Sequence, residues 1–117
     1  MTVELENNRI YRGKGVFKIE GKECGILEKI NFVHSHVGFG GDNTKSFYGT
    51  VTGKVDDLYA ARHRRLDIEA NVAEVNKEGA KPFHVIIHNV EFIDELPKTG
   101  ILKQLEFHGE KADLDEV

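Results

Sequence analysis

Leu66-Asp67-Ile68-Glu69-Ala70-Asn71-Val72 alternates apolar and polar residues without a break. Leu58, Ala61, Ile68, Val72 and Val75 also fit a helical spacing, but strict alternation is the period of a strand with one buried face. The stretch is therefore read as a strand over 66–75. Upstream, Asp56 and Asp57 precede Leu58-Tyr59-Ala60-Ala61-Arg62-His63-Arg64-Arg65. An acidic N-cap, good helix formers and basic residues suited to the C-terminal macrodipole predict one short α-helix over 57–65. Downstream, Asn76-Lys77-Glu78-Gly79 reads as a hairpin connection into the most hydrophobic part of the chain, 82–92. There Phe83, Val85 and Ile87 have one parity, and Ile86, Val90 and Phe92 the other, which predicts a central strand covered on both faces.

The N-terminal half reads the same way. Val16, Phe17 and Ile19 lead from a strand at 9–20 into Gly21-Lys22, a two-residue hairpin turn with glycine first. The return strand covers about 24–37. Ile30 and Phe32 alternate with polar residues before Val33 and Val37 appear on the opposite parity, which predicts a bulge or a strand covered on both faces. Gly38, Phe39, Gly40, Gly41, Asp42, Asn43, Thr44 and Lys45 carry no periodicity and read as a flexible loop, the candidate arm for a partner. Beyond it Phe47, Val51 and Val55 share a parity with Gly49 and Gly53, where something must pack close or the strand must bend. A last strand carries Ile101, Leu105 and Phe107, and the acidic tail at 109–117 is expected to fray. The fold class is mainly β and antiparallel, with one short helix and one domain over 1–117.

The chain has 117 residues, 39% hydrophobic and 31% charged, the balance of a folded domain with a single core. Its net charge of -4 supplies no global field for phosphate backbones or anionic membranes. Cys24 is the only cysteine, which excludes an internal disulfide and a thiolate cage. No secretory pattern occurs in 1–8, no apolar run is long enough to span a bilayer, and the expected compartment is a cytoplasm. Leu96-Pro97-Lys98-Thr99-Gly100 matches the LPxTG wall-sorting pattern, but the membrane stretch and basic tail that give it meaning do not follow.

Candidate chemistry is sparse. His34 with His36, and His84 with His88, each share a strand face, so two pairs could supply imidazoles to a metal; no carboxylate or cysteine stands at a recognised ligand spacing, and no metal is expected. Cys24 lacks a histidine partner, the pairs Asp56-Asp57 and Asp115-Glu116 are explained by capping and solvation, and no enzyme or cofactor is expected. The glycine-rich loop lacks both phosphate-binding signatures. Tyr59, Arg62, Arg64 and Arg65 form the densest positive patch, suited to phosphates or simply to ending a helix.

Taken in order, Gly15-Val16-Phe17-Lys18-Ile19-Glu20-Gly21-Lys22-Glu23, Phe47-Tyr48-Gly49-Thr50-Val51-Thr52 and Val85-Ile86-Ile87-His88-Asn89-Val90-Glu91-Phe92-Ile93-Asp94 resemble segments of the tail tube proteins of long-tailed phages and prophages. The resemblance implies an antiparallel β-sandwich or half-barrel flanked by one helix, assembled as a homo-oligomeric, hexameric ring. Stacked rings would form a virion tail tube that meets other tail proteins and conducts DNA without binding it, after synthesis in the host cytoplasm. The loop at 38–45 would be the subunit-interface loop. Strand order also suits an OB-fold that binds single-stranded nucleic acid through Phe17, Phe32, Tyr48 and the basic patch. A third reading is an accessory domain that binds a protein along a β-edge.

Overall fold

The computed structural model describes residues 9–39, 42–93 and 102–116, with the side chains of 35–39, 42–46 and 116 left aside. The strands are β1 (Ile10–Ile19), β2 (Lys22–Phe39), β3 (Asp42–Lys54), β4 (Leu66–Glu74), β5 (Phe83–Phe92), β6 (Leu102–Gly109) and β7 (Lys111–Glu116), with helix α1 (Val55–Ala60) between β3 and β4. The fold is mainly antiparallel β with one short helix among the described residues, as the alternation predicts. The sheet order is β4-β1-β2-β3-β6-β5-β7, and β4 also pairs with β5, so the sheet closes into a barrel. A closed sheet has one inner face, and the strands fill it alternately with Tyr11, Phe17, Ile30, Phe32, Val51, Ile68, Val85, Leu105 and Phe107, all buried. Helix α1 turns Leu58 into the same core, followed by Ala61.

Closure demands sharp bends, and the inward glycines supply them. A Cβ on Gly49 would stand 1.9 Å from the Asn31 carbonyl oxygen and 2.7 Å from Phe32 Cα. The close packing read from the parity of Gly49 is therefore present, with the β2 backbone itself as the neighbour.

Several boundaries differ from the expectations. The first hairpin turns on Glu20 and Gly21, at φ 54° and 79°, one residue earlier than Gly21-Lys22. Two successive positive φ values mark a type I′ turn, a two-residue connection whose twist matches the flanking strands. In β2 the register shifts lie earlier, between Glu23 and Gly25 and between Leu27 and Ile30 against β1 and between Leu27 and Lys29 against β3, and Phe32 and His34 keep the inward parity, so Val33 simply faces out. Strand β5 is not covered on both faces. Its register against β4 shifts between Leu66↔Val90 and Ile68↔Ile87, with Asn89 at φ 54°. That irregularity rotates Val90 back inward, so Phe83, Val85, Ile87 and Val90 are all buried in one core.

The helix is shorter than 57–65. It begins after Lys54, which makes no side-chain cap, and Asp56 and Asp57 lie in its first turn instead. Negative charge there still favours the helix dipole. The helix ends at Ala60, where the Ala61 amide closes it on Leu58, Arg62 follows with its amide on the Tyr59 carbonyl, and His63 at φ 61° reverses the chain, so no basic residue lies in the last turn. Residues 111–116 form β7 against Phe83–His88 of β5 and do not fray, because Ala112 and Leu114 pack on the core. The LPxTG match and Ile101 lie outside the described residues.

Candidate functional site

The feature that stands apart from the barrel is the far end of the second hairpin. Strand β3 is paired on both sides from Phe47 to Gly53, by β2 and by β6. Strand β6 stops opposite Phe47 at Gly109, where the Glu110 amide donates to the His88 carbonyl at 3.0 Å and carries the chain over to β5. On the other side, β1 accompanies β2 only as far as Ile10↔Val33. Beyond these points Ser35↔Ser46, His36↔Lys45, Val37↔Thr44, Gly38↔Asn43 and Phe39↔Asp42 continue in unbroken register as a two-stranded ribbon. Among the described residues no third strand pairs with it. At the usual rise it extends the hairpin by about 17 Å.

The expected loop is thus mostly strand. Gly38 and Phe39 belong to β2, Asp42, Asn43, Thr44 and Lys45 belong to β3, and Gly40 and Gly41 lie outside the described residues. Backbone pairing needs no side-chain periodicity, so a segment of glycine and short polar residues gives no alternation to read even where the ladder continues. At the root of the ribbon the register aligns Ile10, Val33, Tyr48 and His108 across β1, β2, β3 and β6. All four have the outward parity, and Ile10 and Tyr48 are 47% and 45% exposed. Sequence reasoning passed over this row; its signal was that each member stands next to a core aromatic.

The basic patch is spread over separate contacts. The Arg62 guanidinium stacks on the Tyr59 ring at 3.7 Å and donates to the Tyr59 carbonyl at 2.8 Å. Arg65 pairs with Glu91 and Glu110, both at 3.3 Å, and Glu110 also accepts from Asn89 at 3.0 Å. Arg64 is exposed. Of the aromatics expected to stack on bases, Phe17 and Phe32 are buried in the core and only Tyr48 reaches solvent. The OB-type platform therefore does not form from those residues, because their parity is the core parity.

The histidine pairs stay apart. His34 is buried and stacks on Phe47 at 4.8 Å, whereas His84 and His88 lie on the outer wall; the side chain of His36 is outside the described set. His84 Nε2 is 3.4 Å from Glu69, and His88 lies between Asp67 at 3.4 Å and Asp113 at 2.7 Å. Lys18 donates to Glu69 at 2.9 Å. That hydrogen bond raises the Lys18 pKa and, joined by a contact from His84, lowers that of Glu69 against its partial burial. These contacts link β1, β4, β5 and β7 across one wall. Among the described residues no three His, Cys, Asp or Glu side chains gather as a metal would require. Cys24 is exposed, its thiol donating to the Lys22 carbonyl at 3.2 Å. No helix among the described residues is long and apolar enough to cross a membrane. No protein-family model matches the chain, and no characterised protein matches it at a significant level.

Proposed function

We propose that the chain is a structural, self-assembling subunit of the tail tube type, forming homo-oligomeric rings, hexameric by the resemblance, that stack around a lumen through which DNA passes without specific binding. The observation that carries the reading is the ribbon. A barrel whose inner face is already filled gains nothing in its own core from a hairpin extended past every neighbouring strand among the described residues. Such an extension makes sense as a contact with another subunit. The exposed Ile10 and Tyr48, with half-buried Val33 between them, add apolar surface at its root. A net charge of -4 suits a lumen that DNA must cross without sticking. In this role the protein needs no catalytic group or cofactor, its neighbours are further copies and other tail proteins, and its place is the virion tail.

The second reading, a nucleic-acid-binding barrel, keeps one supporting observation: α1 falls between β3 and β4, and β1 pairs with β4, as in an OB-fold. Electron microscopy of concentrated protein, with binding to single-stranded DNA measured over a salt series, separates the two. Rings or short tubes without salt-sensitive DNA affinity support the tube subunit. A monomer whose DNA affinity falls steeply with salt replaces it with the second reading.

A further inference from the structure

Resting on that assembly reading, we infer that copies of the chain join by backbone pairing between ribbons, the β3 edge at 42–46 in one copy aligning with the β2 edge at 35–39 in the next, each without a paired strand among the described residues. The barrel is closed, and β6 leaves β3 at Gly109 while β3 continues, so the β3 edge beyond Phe47 has no paired strand among the described residues. The same holds for β2 beyond Val33. A row of unpaired amides and carbonyls is a template for another strand, and natural edges that must stay free are blunted with proline, bulges or dense charge.

This ribbon carries none of those devices. No proline occurs from Ser35 to Ser46, and the register shows no shift between Lys29↔Thr52 and Phe39↔Asp42. Its only full charges are Asp42 and Lys45, of opposite sign, with His36 besides, so two ribbons side by side bring no block of like charge together.

The geometry also fixes the occupant. Strands β2 and β3 are antiparallel. With the ring axis along the ribbon, rotating one subunit onto the next keeps all ribbons pointing the same way, so each β3 meets a neighbouring β2 running opposite to it. The alternation of the ladder then continues across the subunit boundary. Joining two different edges is a heterologous contact, which generates a ring where the rotation closes. A second copy therefore presents the required edge, in the required sense, without any rearrangement of the barrel.

In any strand successive amides point to opposite edges, and this supplies the test. Thr44→Pro and Lys45→Pro each remove one amide, one directed into the ribbon and the other directed outward. Both variants and the wild type are compared by sedimentation velocity over a concentration series, with circular dichroism as the control for the barrel. Amide exchange at 42–46 is followed in dispersed and assembled wild type. Backbone pairing predicts that the outward-directed proline abolishes assembly while the ribbon amides of 35–39 keep their protection. It also predicts that alternate amides of 42–46 gain protection at least tenfold only on assembly. If the wild type assembles but both prolines assemble equally well, or protection at 42–46 is the same in both states, ribbon pairing is wrong and the assembly reading survives. A wild type that stays monomeric throughout overturns both.

Discussion

Replacing Gly49 with alanine tests how the barrel bends. The added methyl carbon would lie 1.9 Å from the Asn31 carbonyl oxygen, where ordinary contact needs more than 3 Å, and 2.7 Å from Phe32 Cα. Both neighbours are backbone, and they belong to adjacent rungs, Asn31↔Thr50 and Phe32↔Gly49, that pair β2 with β3. No rotamer can relieve the clash, so β2 must move by more than an ångström and weaken its ladder. Overpacking of this kind costs about 3 kcal/mol. For a domain of this length that lowers the melting midpoint by about 12 °C. Gly21→Ala is the matching control, because nothing lies within 4 Å of its Cβ position and the only strain is φ +79°. Its cost is about 1 kcal/mol. Urea denaturation of the three proteins gives the comparison directly. Equal losses for the two variants, or a Gly49→Ala protein within 0.5 kcal/mol of the wild type, would refute close backbone approach as the reason for glycine at 49.

Ending the chain after Glu110 strips β7 from Phe83–His88 of β5. Several ladder hydrogen bonds at about 0.5–1.5 kcal/mol each are lost and a long edge opens, so the truncated protein should be measurably less stable by denaturation and prone to aggregate by light scattering. Phe107→Ala empties a fully buried site next to Gly109 and should cost about 3–5 kcal/mol in the same assay. Arg65→Ala breaks two ion pairs whose side chains are all more than half exposed, and solvent screening should hold its cost below about 1 kcal/mol. Glu69 has a lowered pKa in the folded protein, so its ionised form contributes stability above the ordinary carboxylate value of 4.5, and that contribution is lost as pH falls through the lowered value. Urea midpoints taken down the acid limb should therefore fall less steeply for Glu69→Gln than for the wild type.

Much of the fold was legible because a closed barrel has one inner face. Leu66, Ile68, Ala70 and Val72 are inward and buried just as their alternation implies. What escaped was geometry that breaks the period. Asn89 at φ 54° turns the outward parity of Val90 inward, and a count of parities reads such a strand as two-faced. Asparagine is one of the few residues that take this conformation readily, which is the faint signal that was present. The helix ended at Ala60 and the chain reversed at His63, at φ 61°, where composition favoured a helix running on through the arginines. The ribbon and β7 were missed for a shared reason: short polar and acidic segments say nothing of the strand that will pair with them. At the candidate site the sequence singled out 38–45 by their glycines, but not the paired backbone of 38–39 and 42–45. The outer wall contacts of Glu69, His84, His88 and Asp113 depend on the register between β4, β5 and β7, which the sequence alone does not set.

The central claim is that the ribbon holds copies of the chain together, and its most direct test is the mass distribution of the wild type beside a variant lacking Gly38 to Asn43, each measured from micromolar to millimolar concentration. The account predicts a wild type that rises with concentration to closed rings or short tubes, and a variant with the same far-ultraviolet spectrum that remains smaller at every concentration. A variant that assembles as fully as the wild type, or a wild type that is monomeric across the whole range, would contradict it.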